Sequence, residues 1–266
     1  MSHFLEVCER AARAGGEILV EYQHRMVGRE KGPRDLVTEA DLASQQCIRK
    51  IIALEYPDHD FLGEEDDPQA PAATGHDYRW IVDPLDGTTN YVHGLQAFAV
   101  SIALEHQGEL VAGIVFDPIT NECFAAAKGA GATVNGKAIK TSRCETAAAS
   151  LVAASFSPWV DRHSIEVVRF VEAIEACQGV RRLGSAALNL AYVAAGRLDA
   201  YWATAIKIWD IAAGVLLVRE AGGIVTNIEG GTLDLRNPIM LASSNGVLNA
   251  DLVRVLNPPS IVRTAL

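Results

Sequence analysis

The eight residues Asp83-Pro84-Leu85-Asp86-Gly87-Thr88-Thr89-Asn90 follow directly on the apolar run Trp80-Ile81-Val82, and no other stretch constrains this chain as much. An apolar run that meets Asp-Pro and then Asp-Gly predicts a strand that breaks abruptly, since proline restricts the backbone and glycine permits a tight turn. The break folds two carboxylates, Asp83 and Asp86, toward one point, where they can share a hard divalent cation. Backbone N–H groups around Gly87, Thr88 and Thr89 are then available to a phosphate, as oriented amides are in anion-binding turns. Either dipeptide alone marks an ordinary loop; the full ordered string reads as a metal and phosphate site.

With 266 residues, 49% of them hydrophobic, the chain can bury a large core as one domain or as two packed lobes. No stretch is apolar enough to span a bilayer: the longest candidate, 146–160, is interrupted by Ser155, Ser157 and Pro158. The N-terminus carries Glu6 and Glu9 and lacks the apolar segment of a signal peptide. These features predict a soluble cytoplasmic protein that does not engage membrane. Five scattered cysteines without a Cys-x-x-Cys pair argue against a disulfide framework or a zinc cluster, and the histidines form no close metal-binding pattern. Oxygen ligands remain, and they favour Mg²⁺ over Zn²⁺. A net charge of −10 disfavours nonspecific nucleic-acid binding. It would also repel a phosphate ester unless cations held by clustered carboxylates reverse the local field.

Periodicity organises the rest. Phe4, Val7, Ala11, Ala14, Ile18 and Tyr22 form a helical stripe, weakened by Gly15-Gly16, and Thr38 opens a second helix running to about Glu55. The segment 28–35 reads as a charged loop able to move over a site. Segments 98–104, 110–116 and 122–127, with a type I′ turn signal at Asn135-Gly136, predict an antiparallel meander. From about Ser150 the pattern alternates: strand 151–154, helix 161–177, strand 180–182, helix 186–195, strand 199–203 and helix 210–221. The expected division is an N-terminal α+β lobe, residues 1–145, with an antiparallel sheet, and a C-terminal α/β lobe, residues 146–266, joined by the Thr/Ser/Ala-rich connector 141–149.

The string 83–90 resembles the signature of the inositol monophosphatase family, magnesium-dependent and lithium-sensitive phosphomonoesterases. Phe61-Leu62-Gly63-Glu64-Glu65, Asp35-Leu36-Val37-Thr38-Glu39-Ala40-Asp41, and Trp209-Asp210-Ile211-Ala212-Ala213-Gly214 with Glu220-Ala221-Gly222-Gly223 resemble its other motifs, in the right order. The resemblance implies a layered α-β-α-β-α sandwich of the sugar-phosphatase type with the active site between the lobes, and a homodimer. It implies two or three Mg²⁺ ions held by Glu64, Asp83, Asp86, Asp210 and the carbonyl of Leu85. By itself Glu64 belongs to a solvated acidic run in which Glu65 has an equal claim, and Asp210 to a helix start that favours an acid. The resemblance also implies that Asp41 and Thr88 orient the attacking water, although Asp41 is equally spaced for a capping box with Thr38. Gly87 and Thr88 amides would hold phosphate, and Ser185 and Ala186 would line the sugar pocket, where Ser185 also suits a helix cap. Lys31 matches the family's loop lysine apart from one missing residue, and is otherwise a solubilising side chain.

One departure bears on the substrate. Seven residues before the C-terminal metal aspartate, members of the family carry an acid that meets the substrate's ring hydroxyls; here that position is Ala203. Loss of a hydroxyl partner weakens discrimination among polyols. Lys207 is the sequence's candidate to compensate, by meeting a second anionic group or a sugar oxygen, with a solvent-facing lysine as the alternative. The expected activity is hydrolysis of a small phosphate monoester, inositol-1-phosphate or a related sugar or polyol phosphate, by direct attack of a metal-activated water. Histidinol-phosphate, fructose-bisphosphate, phosphoadenosine-nucleotide and NADP phosphatases are alternatives within the superfamily. A regulatory binding protein acting through RNA or transcription machinery is the alternative of another class.

Overall fold

A computed structural model describes residues 3–23, 29–32, 35–66, 75–157 and 159–258. In chain order its elements are α1 (His3–Tyr22), β1 (Arg29–Gly32), β2 (Asp35–Val37), α2 (Glu39–Glu55), β3 (Asp60–Gly63), β4 (Tyr78–Asp86), α3 (Thr88–Val92), β5 (Ala99–His106), β6 (Glu109–Asp117), β7 (Glu122–Ala127), β8 (Ala132–Val134) and β9 (Lys137–Ile139). After a 3₁₀ turn at Ala147–Ala149 come β10 (Leu151–Ser155), α4 (Ile165–Ala176), β11 (Gly179–Arg181), α5 (Ala186–Ala194), β12 (Ala200–Ala203), α6 (Ile208–Glu220), β13 (Ile224–Asn227), β14 (Met240–Ser243) and α7 (Gly246–Leu256).

Strands β3 to β9 form one seven-stranded sheet in sequence order; β3 runs parallel to β4 and every later pair is antiparallel. This is the expected meander. Its last hairpin turns at Asn135 and Gly136, both with positive φ, as a two-residue type I′ loop requires. The second sheet has the order β11-β10-β12-β14-β13; its first three strands are parallel, while β13 and β14 add antiparallel pairs. The second lobe is therefore mixed, and β13, β14 and α7 lie where the sequence reading assigned nothing.

Alternation along β4 explains the layering. Trp80 and Val82 belong to an apolar cluster with Val7, Ala11, Ile48 and Ile52 of α1 and α2. Ile81 points the other way, into a cluster that combines Val115 and Phe124 of the first sheet with α5, α6 and Tyr201 of the second. Beyond the second sheet, Trp202 and Val152 pack with Ala173, Leu248 and Leu252 of α4 and α7. The five layers run α1/α2, seven-stranded sheet, α5/α6, five-stranded sheet, α4/α7, and the central helices are apolar nearly all round because both faces are covered. Gly15 and Gly16 do not break α1. A Cβ on Gly15 would sit 2.8 Å from Ile48 Cδ1 and one on Gly16 2.7 Å from the Phe116 ring, so the pair lets α1 approach α2 and β6 closely.

Residues 29–32 and 35–37 pair as an antiparallel ribbon, with β2 beside α3, where a loop was expected. Several ends move by a few residues. Helix α4 begins at Ile165 rather than 161, and α6 begins at Ile208, which makes Asp210 its third residue instead of its first. Among the described residues no helix is long and apolar enough to cross a membrane.

Candidate active site

The site forms where β4 ends against the first turns of α5 and α6. In an undistorted strand Asp83 and Asp86, three residues apart, would face opposite sides. The pairing of β4 with β5 shifts here: Asp83 lies opposite Ser101 and Asp86 opposite Ala99, so β4 carries one residue more than its partner. This bulge at Pro84-Leu85 sends Leu85 into the α1/α2 cluster and returns Asp86 to the face of Asp83. The Leu85 N–H donates to Asp83 Oδ1 at 2.9 Å, and the Pro84 carbonyl, which a ladder would otherwise use, accepts from Ser44 Oγ at 3.2 Å. Gly87 then takes φ of 98° and starts α3; a Cβ there would lie 2.9 Å from the Ala97 carbonyl.

Glu64 joins from the neighbouring strand. Its N–H donates to the Val82 carbonyl at 3.0 Å, which sets it beside Asp83. Glu65 and Asp66, the described neighbours of Glu64 in the acidic run, are tied into local structure: Asp66 accepts from the Gly63 N–H and from Gln45 and pairs with Arg49, while the Glu65 N–H donates to Gln45 Oε1. Asp210 comes from the first turn of α6, where it accepts the Lys207 N–H at 2.7 Å, half of a capping box. Ser101, the cross-strand neighbour of Asp83, donates to the Trp209 carbonyl at 3.2 Å and fixes that turn against the sheet.

Four carboxylates are thus neighbours. Burial pushes the Asp83 carboxyl well above the usual carboxylate range, and the charges of Glu64, Asp86 and Asp210 push it further. Burial and then the Asp86 charge do the same to Asp210. Burial raises Asp86 to about 6, opposed by hydrogen bonds from Ser185 and the N–H of Ala187. Among the described residues no three acidic, His or Cys side chains close on a single point, so the group is a cradle of repelling oxygens rather than a finished coordination shell. Its donors are hard oxygens with surplus negative charge, which fits a hard divalent cation.

Asp41 is fully buried and does two things. Its Oδ2 accepts from the Thr38 N–H and hydroxyl, capping α2, and its Oδ1 lies 3.3 Å from Thr88 Oγ1, which also lies 3.1 Å from the Leu85 carbonyl. The capping and the Thr88 contact coexist. Ser185, in contrast, is committed: it caps α5 through the Leu188 N–H and donates to Asp86 Oδ2 at 2.5 Å, with no solvent exposure. It orients a carboxylate and does not line the cavity that opens over these groups, whereas Gly184 and Ala186 do.

A cavity of about 510 Å³ opens over these groups, lined by Asp86, Gly87, Thr88 and Asp210 at one end and by Phe156, Arg182, Ala205 and Ile206 at the other. Lys207 is exposed and does not line it, and Ala203 is fully buried and does not line it either. For Lys31 the side chain lies outside the described residues; its backbone is in β1. Three contributors escaped the sequence reading: Ser101, Arg182 and Asn90, whose Nδ2 donates to the carbonyls of Ala97 and Leu183 at 2.7 Å each and so ties the second lobe to the end of β4. Only the position of Asn90, closing the 83–90 string, offered a signal.

Comparison with known proteins agrees with this geometry. A family model described as the inositol monophosphatase family matches residues 1–258. A Mesorhizobium japonicum protein named inositol-1-monophosphatase is 40% identical, over 97% of this chain and 98% of its own. A Pseudomonas aeruginosa protein named Nus factor SuhB is 38% identical, over 99% and 100%. The crystal structure of the extragenic suppressor protein suhB from Bartonella henselae superposes with a TM-score of 0.91 at 38% identity, over 97% of this chain and 100% of that one. Motif order, layered fold and whole-length similarity converge on one statement: the chain belongs to the inositol monophosphatase family, whose membership supports phosphatase chemistry on a small phosphate ester.

Proposed function

We propose that the chain is a Mg²⁺-dependent phosphomonoesterase acting on a sugar or polyol phosphate. The observation that carries this reading is the convergence of Glu64, Asp83, Asp86 and Asp210 at the β4 bulge, in a protein whose net charge of −10 would otherwise repel its substrate. Those four side chains and the Leu85 carbonyl would hold two or three Mg²⁺ ions. Bound there, Mg²⁺ supplies charge neutralisation for the ester, an acidified water and stabilisation of the leaving oxygen.

The chain's own groups do the rest. Thr88, with its proton directed to Asp41 Oδ1, presents lone pairs that orient the attacking water, and Asp41 receives the proton load of that chain. The first turn of α3 leaves the N–H groups near Gly87 and Thr88 without intrahelical acceptors, available to phosphate oxygens. Ser185 and the Ala187 N–H hold Asp86 in one orientation. Water attacks phosphorus directly, and no phosphoenzyme forms.

Lobes 1–145 and 146–266 act as one unit, because the cluster around α5 and α6 draws on both sheets. We further propose a cytoplasmic homodimer inhibited by lithium. The name Nus factor on the P. aeruginosa relative keeps a regulatory role beside the enzymatic one open to test. The deciding experiment is phosphate release from inositol, polyol, histidinol and nucleotide monophosphates with Mg²⁺ and with chelator. Release that depends on Mg²⁺ is expected, and release unaffected by chelator would defeat the reading.

A further inference from the structure

We propose that Arg182 is a specificity-determining residue of this site. Its guanidinium binds a second anionic group, so the preferred substrate is a phosphate monoester that also carries a second phosphate or a carboxylate. The proposal rests on the phosphatase reading above and concerns the far end of the same cavity.

Arg182 lines that end, and its guanidinium carbon stands 4.0 Å from the centroid of the Phe156 ring. Phe156 is itself held, stacked on the buried Trp202 at 5.8 Å with an interplanar angle of 16°, and met edge-on by Phe170. Stacking on a fixed ring limits the freedom of an otherwise flexible side chain and leaves the planar N–H fork available. Arg182 has no carboxylate partner among the described residues; its recorded polar contact is a long one, 3.5 Å, to the Phe156 carbonyl. Arg10, Arg79 and Arg197 each hold a glutamate, so an arginine left unpaired on a cavity wall is notable in a protein of net charge −10.

Its neighbours sharpen the assignment. Ala205 and Ile206 bring no side-chain partner for a substrate hydroxyl, Ser155 brings a single neutral hydroxyl beside Phe156, and Ala203 is buried and outside the lining. Hydroxyl pairing on this wall therefore rests on one side chain, and Arg182 supplies its charge. Lys207 is exposed and outside the lining, so the cation suited to the task is Arg182. The distance fits a small substrate. Ser185, which touches Asp86, lies three residues after Arg182, and three residues span at most about 11 Å. A guanidinium fork matches phosphate and carboxylate alike, with two parallel hydrogen bonds.

The test measures kcat/KM at fixed free Mg²⁺ for two substrate pairs. Fructose 6-phosphate against fructose 1,6-bisphosphate adds a phosphate, and glycerol 2-phosphate against 2-phosphoglycerate adds a carboxylate. The wild type is expected to prefer the more charged member of at least one pair by about tenfold or more, the size of a charge-assisted hydrogen bond. Arg182→Ala should lower kcat/KM for that member about tenfold more than for its partner, mainly through KM, and Arg182→Lys should recover only part of the loss. The pair that responds identifies the second group. Absence of preference in the wild type, or an equal loss on both members in Arg182→Ala, overturns the proposal while leaving the phosphatase reading in place. Absence of phosphate release from all four substrates overturns this proposal alone if inositol 1-phosphate is hydrolysed, and removes the phosphatase reading as well if the whole panel of monophosphates above is inert.

Discussion

At one end of the cavity Asp86 is gripped by Ser185 and the Ala187 N–H, and Asp41 and Asp83, which do not line the cavity, are almost free of solvent; at the other end, Arg182 and Ala205 stand exposed. The phosphate end is assembled from a bulge, two capping interactions and four mutually repelling acids, so each group is placed by several others. The far end is assembled from residues at the edges of β10, β11 and β12, and its cation is placed by one aromatic ring. Over-determined geometry suits the part that performs chemistry, where small misplacements cost rate. The lightly held wall is the part in which a family can exchange substrates without touching that chemistry.

If this contrast holds, substitutions at the phosphate end should be far more damaging. Asp86→Asn keeps the shape and can still accept from Ser185, yet removes a charge; kcat should fall more than about 100-fold, beyond what outer partners of a metal site cost. Near-normal turnover with unchanged circular dichroism would break the comparison at its strong end. Ser185→Ala, acting through Asp86, should cost about 10-fold to 100-fold at low Mg²⁺ and recover at high Mg²⁺. A loss that no Mg²⁺ concentration repairs would make Ser185 a substrate contact after all.

Stability readouts probe the same end without turnover. Repulsion among Glu64, Asp83, Asp86 and Asp210 should be relieved by Mg²⁺, which at a hundred times its Kd adds about 2.7 kcal/mol, roughly 5–10 °C in Tm. Asp83→Asn should shrink that rise; an undiminished rise would place the cation elsewhere. Gly87→Ala forces a side chain to φ of 98° against the Ala97 carbonyl and should cost about 1–3 kcal/mol in chemical denaturation.

The smallest effect lies outside the cavity. His59 is sandwiched between Tyr56 and Tyr78, at 4.6 and 4.7 Å, and accepts from Trp80 Nε1 at its Nδ1. Burial holds its pKa below the usual histidine value of 6.5. The unfolded chain therefore binds the proton first, and stability falls as pH drops through about 6.5 and below. Tm should decline between pH 7.5 and 5.5, and His59→Phe should flatten part of that slope; an identical slope would show that the ring stack is indifferent to charge.

Much of this was legible along the chain, for reasons that differ by residue. Asp83 and Asp86 could be paired because Pro84 between them and the Asp86-Gly87 turn are local features; the bulge that turns both to one face shows only in the pairing of β4 with β5. The type I′ turn at Asn135-Gly136 and the cap at Thr38 are equally local. Helix α7 carries such local signals too: Asn245 caps it through the Leu248 N–H, and Leu248, Leu252 and Leu256 repeat at four-residue steps. Gly15-Gly16 read as a weakness because the partners that need the space, Ile48 and Phe116, are distant in sequence. Between Glu64 and Glu65 the residues offered no choice; the Glu65 N–H on Gln45 and the Glu64 N–H on Val82 decide how each is presented.

Short-range physics thus wrote the turn, the caps and the strand alternation into the amino-acid order, and with them two acids of the cradle and the family motifs. Convergence was left to packing. Asp210 meets Asp83 because Ser101 anchors the Trp209 carbonyl, and Arg182 rather than Lys207 faces the cavity because β10, β11 and β12 stack Trp202, Phe156 and the guanidinium in that order. Such contacts join residues tens of positions apart, and their direction depends on how whole layers settle against one another, which no local pattern encodes.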